Sequence, residues 1–350
     1  MYVIGLGAST PVGRNAWSSA AAVRAGVSGF AQHPYMIDSA GEPMVVALAP
    51  WIDKAVTGVQ RLLALLHPAI DQVLELKRKR MPGLRTALAL GLAEPRPGLP
   101  ANYSAELMET LESDYASEFV AMAPFPNGHA AGLLALEIVT REFAHGDFDG
   151  FVIAGVDSYS QPETLEWLEA CEQLHGAGAL NNAWGFVPGE AAGALLVVRN
   201  SVADAFRDVL LAQVAGVGTA TESKCIKSQT VCIGEGLTGA FQRALQALAP
   251  GELVSDIYCD LNGEPYRADE YGFTCLRTKE YFRSACDFVA PADCWGDVSA
   301  AGTPLHVALA AIAGNKGYAK DSTAFVWGSS EGGQRGAAVL RVRLGDPRAG

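Results

Sequence analysis

The chain has 350 residues, 49% of them hydrophobic, enough to bury a large core in one large or two closely packed domains. Its formal net charge of −12 argues against a nucleic-acid-binding surface, because phosphate recognition needs clustered cations. Only Lys77–Arg80 (KRKR) supplies such a cluster, and a short basic run reads more simply as a solvated helix face.

In chain order, the opening MYVIGLGAS lacks the basic segment and long apolar run of a secretory leader and reads as a buried strand over Tyr2–Thr10. A helical pattern follows at Asn15–Ala25. Within residues 31–122 the apolar spacing predicts helices at Val59–Leu76, interrupted at Pro68, and at Ser104–Met122. APFPNGHAAGLLALEIV (Ala123–Val139) then forms a small-residue turn with His129 at its tip, running into an apolar helix. Solid apolar strands follow in FDGFVIAGVDS (Phe148–Ser158) and GEAAGALLVVR (Gly189–Arg199).

The rest of the chain repeats this series. LAQVAGVGTAT (Leu211–Thr221) has the form of the first strand, and Gly236–Leu248 has the form of the helix at Asn15–Ala25. GDVSAAGTPLHVALAAI, from Gly296, matches GHAAGLLALEIV, from Gly128. STAFVWGSSEG (Ser322–Gly332) and GQRGAAVLRVR (Gly333–Arg343) match the two solid apolar strands. The order in both halves is strand, helix, strand, helix, strand, strand. This predicts an α/β layered fold made of halves 1–200 and 201–350 packed face to face, with residues 31–122 as an insertion lacking a counterpart. No run of about twenty apolar residues suggests a membrane span. The seven cysteines (Cys171, Cys225, Cys232, Cys259, Cys275, Cys286 and Cys294) lack CxxC spacing, so no disulfide framework or zinc site is expected; reduced, mostly buried thiols in a cytoplasmic protein are the simplest reading. Neither GLGASTPVG nor GEGLTG has the context of a dinucleotide fingerprint, and no cofactor is expected.

IGLGASTPVG, the turn and helix at 126–146, GFVPGEAAGALLVV (Gly185–Val198), GEGL (Gly234–Leu237) and GSSEGGQRGAAVL (Gly328–Leu340) succeed one another as in the β-ketoacyl synthases of the thiolase superfamily. The chain resembles that family over nearly its whole length. The resemblance implies a thiolase-like αβαβα five-layer fold built from two pseudo-symmetric halves, and a homodimer in which the strand Phe151–Val156 pairs across the twofold. It also implies a site. In the family, a cysteine at the N-terminus of the buried helix is acylated, and two histidines from the second half assist decarboxylation and stabilise the enolate.

Counting back from Gly146-Asp147 puts His129 on the cysteine. The first histidine corresponds to Asn262, in Asp260–Tyr266, where Glu264 and Tyr266 replace hydroxyls that would meet a phosphopantetheine arm. The second corresponds to Asp297, with Ala292 at a lysine position and Leu305 at a glutamate. An acyl-imidazole hydrolyses readily, an amide exchanges no proton near neutral pH, and a carboxylate opposes a developing enolate. General acid–base groups are each worth about 10²–10⁴ in rate, so losing the whole set abolishes Claisen condensation.

Three functions are compatible with this pattern. The first is a catalytically degenerate pseudo-enzyme acting as a partner, adaptor or chain-length-factor-like subunit. It would be a homodimer, or a heterodimer with a synthase-like or other protein, with acyl-carrier protein or acyl-CoA as possible contacts. Chain-length factors usually carry glutamine where this chain has His129. The second is an active acyltransferase, thioesterase or decarboxylase using a repurposed His129/Asp297/Asn262 site, near which Ser299 and Cys294 lie; decarboxylating relatives that lack the cysteine keep both histidines. The third is a scaffold whose channel is filled by Trp295, Tyr266 or Phe273. Because His129 and Asp297 head equivalent helices, a contact between them would hold the halves together. His306 reads as a core histidine, His145 and His175 as loop residues, and nothing fixes the separation of Asp269-Glu270. The segment 31–122 is a candidate partner surface.

Overall fold

A computed structural model describes residues 1–228 and 230–345. The N-terminal half runs β1 (Tyr2–Ser9), α1 (Ala16–Arg24), β2 (Ala31–Ile37), β3 (Pro43–Val46), α2 (Gly58–Arg80), β4 (Thr86–Gly91), α3 (Tyr103–Asp114), β5 (Met122–Phe125), α4 (Ala131–His145), β6 (Gly150–Ser158), α5 (Pro162–Ala170), β7 (Glu190–Val198) and the single turn α6 (Asn200–Ala203). The C-terminal half runs β8 (Ala212–Thr221), α7 (Glu235–Leu245), β9 (Asp256–Cys259), α8 (Pro265–Thr278), β10 (Phe288–Val289), the single turn α9 (Ala292–Trp295), α10 (Gly302–Asn315), β11 (Thr323–Ser329) and β12 (Gln334–Val342).

The strand order is β5-β4-β6-β7-β1 in the first half and β10-β9-β11-β12-β8 in the second. Strand directions agree pair by pair. β4 is parallel to β5 and β6, and β9 to β10 and β11, while β7 and β12 run antiparallel to both neighbours. The half-sheets touch edge to edge only where Tyr2 and Val3 of β1 meet Gln213 and Ala212 of β8.

Alternate residues of each strand enter different cores, which is why the strands read as unbroken apolar runs. In β6, Phe151 and Ile153 join α4 and α10 in a central core shared with β8, β9, β11 and β12, whereas Val152, Ala154 and Val156 face α2 and α3. The outer face of the second half-sheet packs on α7 and α8. The layers are therefore α2/α3, sheet, α4/α10, sheet, α7/α8, the thiolase-like five-layer fold. Among the described residues no helix is long and apolar enough to cross a membrane.

Several sequence expectations are corrected. Residues 31–122 are not an insertion without counterpart, because α2, β4, α3 and β5 occupy the places of α7, β9, α8 and β10. The partner of α7 is thus α2 rather than the helix near Asn15–Ala25; each packs along the first strand of its own half. The additions unique to the first half are residues 10–57, with α1 and the β2–β3 hairpin, and 159–189, which stand where the second half has shorter connections. They pack on one another through Met44, Val46, Tyr159, Leu165, Leu174 and Phe186. α2 continues through Pro68, whose exposed position leaves the freed carbonyl of the preceding turn open to water. The helix predicted at Ser104–Met122 ends at Asp114, and Met122 begins β5. Phe151–Val156 cannot pair across a dimer axis, since β6 is hydrogen-bonded to β4 on one side and β7 on the other; the free edge of this half-sheet is β5. The KRKR run is not simply a solvated face, because Lys77 is buried on Glu118 while Arg78, Lys79 and Arg80 pair with Glu118, Glu75 and Asp208. Of the cysteines only Cys232, Cys259 and Cys294 are buried, and Cys171 and Cys286 are exposed.

Candidate functional site

Two short 3-10 turns, Gly128–Ala130 and Ser299–Ala301, lead into α4 and α10 and face each other across the pseudo-twofold. Small residues permit the approach. A Cβ on Gly132 would lie 2.6 Å from that of Thr303, and one on Gly155 would lie 2.1 Å from the carbonyl oxygen of Ala300. The Asp297 backbone is fixed by the GFVPGEAAG segment, with Asp297 N–H donating to Val187 O (2.8 Å) and Gly189 N–H to Asp297 O (2.9 Å). Glu190 of that segment is a structural anchor, fully buried on Arg61 at 2.6 and 2.7 Å.

His129, Asn262 and Asp297 converge. His129 Nε2 lies 2.8 and 2.9 Å from the two Asp297 carboxylate oxygens, and Asn262 Nδ2 donates to Asp297 Oδ2 at 2.7 Å. The N–H of Ser299 donates to Oδ1 at 2.9 Å, and the Tyr159 hydroxyl approaches it at 3.4 Å. Contact with both carboxylate oxygens places a proton on Nε2, leaving Nδ1 as the atom without a protein partner among the described residues.

Arg267 went unnoticed in the sequence, yet it organises the site. It is buried, with Nε donating to Glu264 (3.0 Å) and Nη1 to Asp260 (3.1 Å) and to Ser329 O (2.6 Å), while Nη2 sits 3.3 Å from His129 Nε2. Since both nitrogens carry protons, that last contact is an approach of two donors. Glu264 accepts from Asn262 Nδ2 (3.0 Å) and Gln173 Nε2 (2.8 Å), and Gln173 also reaches Glu331, which Lys227 neutralises at 2.6 Å. Tyr159 and Gln173 come from the 159–189 addition, so this segment closes the site. No local pattern around Arg267, Gln173 or Tyr159 signals these long-range contacts.

The protonation follows from the charges. Burial alone would lower the pKa of His129, but Asp297 outweighs burial and Arg267 and raises it. Burial alone would raise the Asp297 carboxyl; His129, Arg267 and Asn262 overcome it and hold the group well below the usual carboxylate range. Burial lowers His306, with no counterion in contact, to about 3. Asp297 therefore favours the protonated form of the His129 ring, the form without a lone pair for attack or proton abstraction. The cavities beside His129 are small. The cavity bounded by His129, Ala292, Trp295, Asp297 and His306 is about 10 Å³, and the one toward Arg96, Tyr159 and Glu331 about 40 Å³, where a single water needs about 10–15 Å³. Trp295 is one of the fillers; Tyr266 lies outside, bonded to Lys224 O, and Phe273 is half-exposed at the surface.

The other candidates do not join the site. Leu305 and Cys294 are buried, and burial pushes the Cys294 thiol up. His145 and His175 are exposed, and in Asp269-Glu270 only Glu270 is buried. Glu222, Cys232 and Glu270 bring ligand atoms within 4.8 Å of one another. Arg335, however, holds Glu270 at 2.6 Å and burial raises the Cys232 thiol, so a cation there would have to displace a guanidinium.

No family model and no curated protein matches the sequence. Solved structures do. A chain of a type II polyketide synthase acyl-carrier protein in complex with its ketosynthase superposes with a TM-score of 0.78 at 15% identity, covering 97% of this chain and 98% of that one. The ishigamide ketosynthase/chain length factor gives 0.67 at 20%, covering 98% and 99%. A β-ketoacyl synthase from Burkholderia phymatum gives 0.70 at 14%, covering 97% and 98%. The likeness is one of fold: the chain has the thiolase-like ketosynthase fold over essentially its full length.

Proposed function

We propose that this protein is a non-condensing member of the ketosynthase fold that acts as a partner or adaptor subunit, in the manner of a chain-length factor, rather than as an enzyme. The observation that carries the reading is the His129–Asp297 ion pair, closed over by Asn262, Arg267 and Tyr159, at the place where the resemblance puts a nucleophilic cysteine. A ring whose protonated form Asp297 favours is a poor acyl acceptor, a carboxylate at 297 opposes an enolate, and the cavities beside His129 are small. The pair also joins the heads of α4 and α10, one from each half. That a fold neighbour is a ketosynthase/chain length factor supports a homodimer or a heterodimer with a synthase-like partner, for which β5 offers a free edge.

The test is incubation with acyl-CoA and with malonyl-loaded carrier protein, read by intact mass and by release of thiol and carbon dioxide, beside an active ketosynthase. No adduct and no release are expected. Turnover that His129→Ala abolishes would overturn the reading and restore an acyltransferase, thioesterase or decarboxylase built on His129, Asp297 and Asn262.

A further inference from the structure

A large groove lies outside the closed site. Its volume is about 1100 Å³, and its walls are the 171–184 loop on one side and Ile226, Lys227 and the start of α8 on the other. Gln173 and Glu264 form its floor, and their 2.8 Å hydrogen bond separates it from Asn262 and Asp297. The groove therefore leads nowhere chemically, yet it presents large apolar side chains to water: Leu180 is 92% exposed and Trp184 70%. Side chains of this kind serve as anchors in protein interfaces.

Charge selects the occupant. Of the lining carboxylates Glu264 is already paired with the buried Arg267, which leaves Glu169 and Glu172 against a single lining cation, Lys227. Lys227 is already neutralised by Glu331 at 2.6 Å and covers the Trp167 ring at 3.8 Å, whereas neither Glu169 nor Glu172 has an ion-pair partner among the described residues. Such a mouth repels an acidic carrier protein and attracts a cation.

We propose that this groove docks an extended, Lys- or Arg-bearing segment of a partner protein, anchored by apolar residues against Trp184 and Leu180 and steered by Glu172. The proposal rests on the adaptor reading and gives that adaptor its recognition surface.

The test is fluorescence anisotropy of a fluorescein-labelled KLKLKLK peptide titrated with the full chain, beside an ELELELE peptide and an acidic acyl-carrier protein. The basic peptide is expected to bind and the acidic probes are not. Trp184→Ala should weaken binding about thirtyfold, as for an interface anchor, and Glu172→Lys about threefold to tenfold, with salt reducing the difference. Both positions are exposed, so unchanged melting temperatures establish that the variants fold. Equal binding of the acidic probes, or binding indifferent to both substitutions, overturns the proposal. Acyl-thioester turnover by the same preparation overturns the adaptor reading, whereas a silent titration without turnover overturns the groove alone.

Discussion

Replacing His129 by alanine separates a structural pair from a catalytic one. In the folded protein the substitution removes the contacts at 2.8 and 2.9 Å to Asp297 and leaves that carboxylate buried at 4% exposure. Breaking a buried ion pair by removing one partner costs about 3–5 kcal/mol. Asp297 keeps the Asn262 amide at 2.7 Å and the Ser299 N–H at 2.9 Å, and Arg267 remains nearby, which places the loss near the lower bound, about 3 kcal/mol. That is a large part of the ~5–15 kcal/mol by which proteins are usually stable. Asp297→Ala should cost less, because His129 can shed its proton beside Arg267 whereas a buried carboxylate needs a partner. The double variant should be more stable than the sum of the single losses predicts, by more than about 1 kcal/mol. Equilibrium urea unfolding, followed by the fluorescence of the buried Trp295 and Trp327, measures all three. An unchanged midpoint for His129→Ala would refute the reasoning, since a histidine retained only for chemistry leaves stability alone.

Three further outcomes follow from the structure. Because the folded pKa of His129 is raised, its stabilisation is complete below the unfolded value of 6.5 and is lost as pH rises through the folded value; the contribution of Asp297 fails only in strong acid. His129→Gln should therefore flatten the limb of melting temperature against pH that lies above about 6.5. His306 has the opposite sign: its folded pKa is lowered to about 3, so stability falls as pH drops from 6.5 toward 3, and His306→Gln should gain on the parent at pH 4.5 relative to pH 7.5 in thermal melts. Gly155→Ala drives a methyl group to within 2.1 Å of the Ala300 carbonyl and should cost about 1–3 kcal/mol or more, whereas Gly239→Ala in α7, whose Cβ would meet nothing closer than 3.6 Å, should gain about 0.5–1 kcal/mol; urea midpoints moving the same way in both would contradict the packing argument.

The layered fold was legible because it is written twice. The solid apolar strands at Phe148–Ser158 and Ser322–Gly332, and the small-residue turns before α4 and α10, carry the pseudo-symmetry in residue types that burial dictates. The misreadings arose where burial says little. β9 and β10 span only Asp256–Cys259 and Phe288–Val289, and α8 is largely polar. The second-half equivalents of β4, α3 and β5 therefore lack the apolar periodicity that would expose 31–122 as repeated structure. The run FVIAGV correctly indicated two covered faces, but face burial carries no information on whether hydrogen-bonding edges are free, and β6 has neither edge free.

The structure brings His129, Asn262 and Asp297 together, a convergence the sequence led one to expect because the three matching positions of the family converge. The sequence did not disclose why they are compatible. A carboxylate at 297 beside carboxylates at 260 and 264 would be repulsive without Arg267, which directly follows the matched segment Asp260–Tyr266. Tyr159 and Gln173 reach the site from an addition 108 and 94 residues before Arg267 in sequence. These residues thus form one balanced set: His129 and Asn262 contact Asp297, Arg267 is met by Asp260 and Glu264, and Glu264 takes the amides of Asn262 and Gln173. Removing any one member leaves a buried polar partner unsatisfied, so the contacts depend on one another.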